Sequence, residues 1–316
     1  MDEEKMRDTV RDLLSTGKVA SVIGYEKGEL GQGARPCIIT SPDDADRLIL
    51  TPMCKHNLTV YLTLEPPTDP EKKKVALIVK GCDARALIQV LQERGVERDD
   101  LVILGVPCTG MIEPDKLYQE VIEDDILEIS EDGDTFIIKT RDGEQTLKKE
   151  DVLFDECLTC TYPTPLMADV MLGEPVEPRG GEASDPTEGM SAEERWAFWS
   201  DKFSKCIRCF ACRQACPLCF CEVCAGDSLK PNWVKRSVNL SENTMWHFIR
   251  AFHHAGRCAE CGACERACPV GIPLMTLNKR MAREAEDIFG YSSGTDPEAK
   301  PLLGSFKTDD EEDFIQ

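Results

Sequence analysis

CIRCFACRQACP, residues 206–217, and CAECGACERACP, residues 258–269, set the architecture of the C-terminal part of this chain. Both are C-x2-C-x2-C-x3-C followed by proline, a run that holds 4Fe-4S clusters. Three closely spaced thiolates wrap one cluster, while the fourth cysteine of each run reaches across to the other. The spacing therefore assigns Cys206, Cys209, Cys212 and Cys268 to a first cluster, and Cys258, Cys261, Cys264 and Cys216 to a second. C-x2-C pairs also make zinc sites, but zinc ribbons call for neither the third cysteine two residues on nor the fourth before proline.

Between the two runs, the stretch from Cys216 to Cys258 is longer than the usual spacer in simple two-cluster proteins. It contains PLCFCEVCAG, PNWVKR and TMWHFIRAFHHAGRC. Cys219, Cys221 and Cys224 are too dense to be accidental, yet they lack a complete cluster spacing. They are candidates for a further metal site, the alternative being packed thiols. His247, His253 and His254 lie in a helical pattern in which Trp246, Phe248, Ile249 and Phe252 are expected to pack over a cluster. Two roles stay open for these histidines, structural hydrogen bonding and tuning of a cluster.

The chain has 316 residues, enough for two domains, and 17 cysteines. An odd and generous cysteine count fits a reducing compartment and metal ligation better than a disulfide framework. A net charge of −21 repels phosphate backbones and anionic lipid, which argues against nucleic-acid or membrane binding. No apolar stretch approaches a membrane span, and the charged start MDEEKMRDTVRDLL lacks a leader pattern, so the expected location is cytoplasmic.

The first half alternates helical and strand signals. MRDTVRDLLSTG carries apolar residues at helical spacing and stops at Gly17. KVASVIGY, VALIVKGC and LVILGVPC are short Val- and Ile-rich strands, and DARALIQVLQERGVERDD between the last two reads as a helix ended by Gly95. Strand, helix, strand implies a right-handed parallel crossover. ILEISEDGDTFIIKTRDGEQTLKK, residues 126–149, alternates with period two around turn signals, a meander expected against an edge or face of that sheet. The expected organisation is an α/β domain with a parallel or mixed sheet over 1–172 and a Gly/Pro/Glu-rich linker over 173–193. An α+β dicluster ferredoxin-like domain with an insertion follows over 194–282, then an acidic tail over 283–316. SAEERWAFWSDKF opens the second domain as a helix with a capping box, Ser191 and Glu194.

Cys82 and Cys108 each follow a strand directly, and open parallel sheets place their ligand sites at the carboxyl ends of strands. Cys157 and Cys160, in FDECLTCTYPTP, and Cys54, in TPMCKHN, are candidates to complete the set. Three roles stay open for Cys82, Cys108, Cys157 and Cys160: a third cluster, zinc or another metal, or reduced structural thiols. Cys37 has no motif around it and reads as structural. GYEKGELGQG is glycine-rich but is no dinucleotide fingerprint, and reads as a loop. Arg85 faces either a phosphate of a cofactor or its neighbour Asp83.

KGCDARALI, LGVPCTG and CLTCTYPTPLMADVMLGEPV together resemble the iron–sulfur flavoprotein beta subunits of deazaflavin-reducing hydrogenases and of formate dehydrogenases. The resemblance covers roughly residues 18–175. The whole arrangement, with RCFACRQACPLCFC and FHHAGRCAECGACERACP, is similar to a related group associated with heterodisulfide-reductase-type complexes, in which this domain precedes the ferredoxin part. The resemblance implies an electron-transfer subunit between a hydrogenase or formate dehydrogenase module and a heterodisulfide-reductase-like flavoprotein. The family often binds FAD and, in methanogens, the deazaflavin coenzyme. Two other readings remain. In one, an FAD-containing oxidoreductase subunit itself exchanges hydride with a soluble carrier; the remote one is a zinc-bearing scaffold.

Overall fold

The computed structural model describes residues 2–29, 33–64, 74–93, 95–122, 126–181, 185–306 and 308. Its strands are β1 (Val19–Lys27), β2 (Ala34–Ile39), β3 (Lys74–Val79), β4 (Leu101–Gly105), β5 (Ile126–Asp132), β6 (Thr135–Thr140), β7 (Gly143–Lys148) and β8 (Val170–Met171). Five of them form a mixed sheet of order β2-β1-β3-β4-β8, in which only the β1–β2 pair is antiparallel.

The helix Gly81–Gln92 makes the expected crossover between β3 and β4, which pair in parallel from Val75 opposite Leu101 to Val79 opposite Gly105. Val75 to Val79 is buried at every position, the mark of a strand covered on both faces. Leu77, Ile78, Leu87 and Ile88 are fully buried, and each such side chain contributes about 1.5–3 kcal/mol relative to exposure. The helix Glu3–Ser15 buries Met6, Val10 and Leu13 on one face and ends before Gly17, whose φ of +68° closes it in the left-handed region.

The meander β5-β6-β7 forms as expected, but it is a separate sheet. Ile126, Phe136 and Ile138 pack with Ile112, Leu117, Val152 and Leu153 into a second core. It is therefore joined to the α/β domain through the loop after β4 and the helix Pro114–Glu120.

After β8 the regular elements among the described residues are helices, chiefly Ala192–Ser204, Leu240–His254 and Leu274–Phe289. Ser191 and Glu194 cap the first of these reciprocally. Phe203, fully buried, stacks between Trp199 at 5.4 Å and His247 at 4.5 Å. Composition reads residues 283–316 as a solvated tail, and the structure corrects this for the described part. The last helix runs on to Phe289, and Tyr291 and Ser293 then hydrogen-bond Gln89 of the helix Gly81–Gln92. Residues 309–316, most of TDDEEDFIQ, lie outside the described residues. No described helix is long and apolar enough to cross a membrane.

Candidate iron–sulfur centres

The two cysteine runs share one backbone conformation. Arg208 (φ 56°) and Phe210 (φ 61°) flank Cys209 in the left-handed region, and Glu260 (φ 54°) and Gly262 (φ 70°) flank Cys261 in the same way. Such alternation turns successive N–H groups toward one centre, a nest suited to an anionic group. Three of the four residues are not glycine, and each costs of order 1 kcal/mol to hold there. Strain repeated at matched positions marks the loops as built for a ligand. Each run then enters a short helix, Ala211–Gln214 or Ala263–Arg266, that carries its third cysteine.

The thiols converge across the two runs. Cys206 faces Cys268 and Cys209, and Cys212 faces Cys206 and Cys268. In the second group, Cys258 faces Cys261 and Cys264, and both of these face Cys216. Burial pushes the Cys212 thiol up to about 11 and the Cys261 thiol up to about 12. The apo thiols are thus protonated near neutrality, and loading a metal must release their protons.

Arg250 tests whether these residues fit iron–sulfur clusters. Its side chain is buried, its Nε has no partner among the described residues, and its Nη2 donates to the Cys212 carbonyl at 3.3 Å. The groups facing its charge are the thiols of Cys264, Cys216, Cys212 and Cys219. A buried cation without a counter-charge costs several kcal/mol, whereas anionic clusters on those thiolates supply one. The residues fit the group.

A further set lies at the carboxyl edge of the sheet. Cys82 opens the helix after β3, Cys108 follows β4, and Cys157 sits in the short helix Asp155–Leu158. The Cys108 thiol faces Cys157 and Cys160, and Cys82 faces both Cys108 and Cys261. Burial pushes Cys108 up to about 12 and Cys157 up to about 11. The fold thus brings together four cysteines spread over 79 positions of sequence, Cys82 to Cys160, with Cys82 bordering the second run.

Cys54 sits in a turn of its own. It is held by Thr51, whose N–H points to its Sγ at 3.4 Å, and it lies near Lys80. Cys37 is a buried residue of β2 facing Gly24 in the neighbouring strand.

Arg85 does not pair with Asp83. Its Nη1 pairs with Glu260 at 3.2 Å, its Nη2 donates to the Ser293 carbonyl at 2.9 Å, and its guanidinium lies over the Tyr162 ring. Asp83 pairs instead with the buried Lys80 at 2.8 Å. Arg85 is a tie between the α/β domain and the second cysteine run, with its donors committed to protein. Two more ties flank it. Arg257 binds Glu93 at 2.6 Å, and Arg266, lying over the Phe154 ring, pairs with Glu156 and donates to the Lys55 carbonyl at 2.8 Å. No local pattern announces these three arginine–glutamate pairs, because the partners are separated by 110 to 175 positions.

The helix Leu240–His254 sorts its aromatic residues. Trp246 is buried and meets Phe210 edge to face at 5.0 Å, but Phe248 and Phe252 are exposed rather than packed over a cluster. Neither ring nitrogen of buried His247 has a partner among the described residues. Burial lowers its imidazole to about 3, with Arg250 and Arg208 adding to the effect, so the ring is neutral when folded. His254 points at cysteine thiols, with its Nε2 3.3 Å from the Cys219 Sγ and 3.9 Å from the Cys216 Sγ.

A mixed α/β sheet joined to paired C-x2-C-x2-C-x3-C-P runs defines an iron–sulfur protein of the dicluster class. Residues 202–272 match the 4Fe-4S dicluster domain family, and residues 72–192 match the family described as the C terminus of the coenzyme F420 hydrogenase/dehydrogenase beta subunit. The beta-subunit match thus lies directly ahead of the dicluster match in this chain. It is 26% identical to the F420-dependent formate dehydrogenase subunit beta of Methanocaldococcus jannaschii, covering 92% of this chain and 91% of that protein. It is likewise 26% identical to the F420-dependent formate dehydrogenase 1 subunit beta of Methanococcus maripaludis, covering 92% and 90%. Among solved structures, a chain of the F420-reducing NiFe hydrogenase complex from Methanosarcina barkeri superposes with a TM-score of 0.40 at 15% identity. That match covers 50% of this chain and 59% of the other.

Proposed function

We propose that this chain is the electron-relay subunit of a cytoplasmic dehydrogenase or hydrogenase complex, with three iron–sulfur centres in sequence. The first is held by Cys206, Cys209, Cys212 and Cys268, and the second by Cys258, Cys261, Cys264 and Cys216. The third is held by Cys82, Cys108, Cys157 and Cys160. When bound, such clusters supply one-electron redox chemistry. The chain's own residues set their spacing, bury them and neutralise their charge.

The observation that carries this reading is the continuity of the cysteine sets. Cys212 faces Cys264 between the first and second groups, and Cys261 faces Cys82 between the second and third. Cys209, in the first group, is exposed, so the row begins at the surface. It runs from there to the carboxyl edge of the sheet, where α/β folds place their ligands. The names of the relatives, F420-dependent formate dehydrogenase beta subunits, support a formate dehydrogenase or hydrogenase module on one side. On the other side we place a heterodisulfide-reductase-like flavoprotein, from the resemblance of the whole arrangement.

The same names support a second reading, in which the α/β domain carries FAD and exchanges hydride with a soluble deazaflavin. A tagged chain purified anaerobically from its host separates the two. The relay reading expects the catalytic polypeptide of a dehydrogenase or hydrogenase and a heterodisulfide-reductase-like flavoprotein to co-purify, with no flavin on the separated chain. Near-stoichiometric flavin released from that chain by acid would establish the second reading, and recovery of the chain alone would contradict the first.

A further inference from the structure

PNWVKR, residues 231–236, lies between the two cysteine runs, and neither cluster draws a ligand from it. Residues 228–241 carry Lys230, Lys235 and Arg236 and no acid, in a chain with 58 acidic residues and a net charge of −21. All three basic residues are exposed. Glu242, the next acid along the chain, accepts the Lys235 N–H at 2.7 Å, and Asp227, the acid before, pairs with Arg213. The stretch is therefore a positive island on an acidic protein.

Arg208 holds that island against the first cluster loop. It stands between Cys206 and Cys209 in the left-handed region, and its Nη2 donates to the Lys235 carbonyl at 3.3 Å. Its Nη1 donates to the Glu242 carbonyl at 3.0 Å. A groove of about 610 Å³ separates loop from island, lined by Ile207 and Phe210 of the first and by Leu229, Val234, Arg236 and Val238 of the second. Cys209, between the lining residues Arg208 and Phe210, is the exposed ligand of the proposed first cluster.

The same face is apolar as well as basic. Ile207, Leu229, Trp233 and Val238 are exposed, Trp233 by 63%. Exposed apolar side chains gathered in one patch mark an interaction surface, and tryptophan and arginine are the residues that dominate binding at such surfaces. The second run offers no such opening, since Cys258 and Cys264 are buried and Cys261 is only partly exposed.

Charge selects the occupant. A net charge of −21 repels an acidic partner from most of the surface, and attraction survives where the sign is locally reversed. Such an arrangement steers an acidic protein to one face and sets its orientation there. The exposed cluster ligand within the patch makes that partner one that carries electrons.

We propose that the face formed by Ile207, Leu229, Lys230, Trp233, Lys235 and Arg236 docks a small acidic iron–sulfur carrier protein, which exchanges single electrons with the cluster held by Cys206, Cys209, Cys212 and Cys268. It rests on the proposed relay and adds to its two fixed neighbours a partner that comes and goes. In the exchange the carrier's cluster loses one electron and the first cluster gains it, with no bond broken and no proton moved. Exposed charges are screened by salt, which suits a short-lived encounter.

The test uses the full chain, purified anaerobically with its clusters oxidised and mixed by stopped flow with a reduced acidic two-cluster ferredoxin. Lys230→Glu, Lys235→Glu and Arg236→Glu, combined in one variant, leave every cysteine and the backbone carbonyls that Arg208 binds in place. The expected second-order rate in low salt is at least about tenfold below wild type. The gap should close near about 1 M salt, where the screening length is about 3 Å, with iron, sulfide and paramagnetic resonance unchanged. Equal rates in low salt, or a gap that persists in high salt, overturn the proposal. Should the variant lose its clusters, the wild-type chain decides. A carbodiimide joins lysine amines to ferredoxin carboxylates, and the links should fall on Lys230 or Lys235. Links confined to other lysines, or none, overturn the proposal as well. A wild-type chain without acid-labile sulfide sinks the relay itself, before any carrier is added.

Discussion

Cys268→Ser is expected to abolish the cluster of Cys206, Cys209 and Cys212 while leaving that of Cys258, Cys261 and Cys264 intact, although Cys268 belongs to the latter run by sequence. The Cys206 and Cys212 thiols both face Cys268. In the native chain the Cys268 Sγ also accepts the Ile272 N–H at 3.4 Å, which orients it. A serine keeps the volume but offers a poor ligand to iron, and about half of the dicluster iron should be lost. The reduced variant should then lose the spin coupling between the first and second clusters. Loss confined to the second cluster would show that each run serves its own cluster, and the crossed arrangement would be wrong.

Gly81→Ala is expected to cost more than about 3 kcal/mol, beyond the usual range for overpacking, and to strip metal from Cys82, Cys108, Cys157 and Cys160. A Cβ at Gly81 would stand 1.7 Å from the Tyr162 carbonyl oxygen and 3.1 Å from the Pro163 carbonyl carbon. Both obstacles are backbone, so neither can turn aside as a side chain would. The strand end and the 160–163 loop must part, and that loop carries Cys160. The Cys108 N–H also donates to the Pro163 carbonyl at 2.9 Å, so Cys108 loses its anchor in the same movement. Thermal unfolding and iron content, measured on one preparation, should fall together. A variant with native stability and native iron would remove the close approach as a cause of the cysteine arrangement.

The cluster runs were legible because ligand spacing is local: a C-x2-C-x2-C loop puts three thiolates around a cubane with no help from the rest of the fold. The crossover from β3 to β4 was legible from Val, Ile and Leu content alone. β2 was not, because ARPCII carries a proline and only a brief apolar run, and it is recruited by pairing with β1. β8 is just Val170 and Met171, too short for any periodicity, and exists because β4 offers it a free edge.

The site shows the same division. The end-of-strand positions of Cys82 and Cys108 were readable, but the turn at Thr51 that holds Cys54 near Lys80 was not. Arg85 was singled out for its position at a helix start. Its actual partners, Glu260 and Ser293, come from the opposite end of the chain and no local pattern could supply them. Those long-range pairs shape the site. They press the second cysteine run against the α/β domain and make Cys261 a neighbour of Cys82.

Whether the chain is an iron–sulfur relay is decided by metal and acid-labile sulfide analysis of the anaerobically purified protein. Iron and sulfide should be present in equal amounts, at least about eight of each per chain, with interacting spins on reduction. Zinc without acid-labile sulfide would contradict the relay.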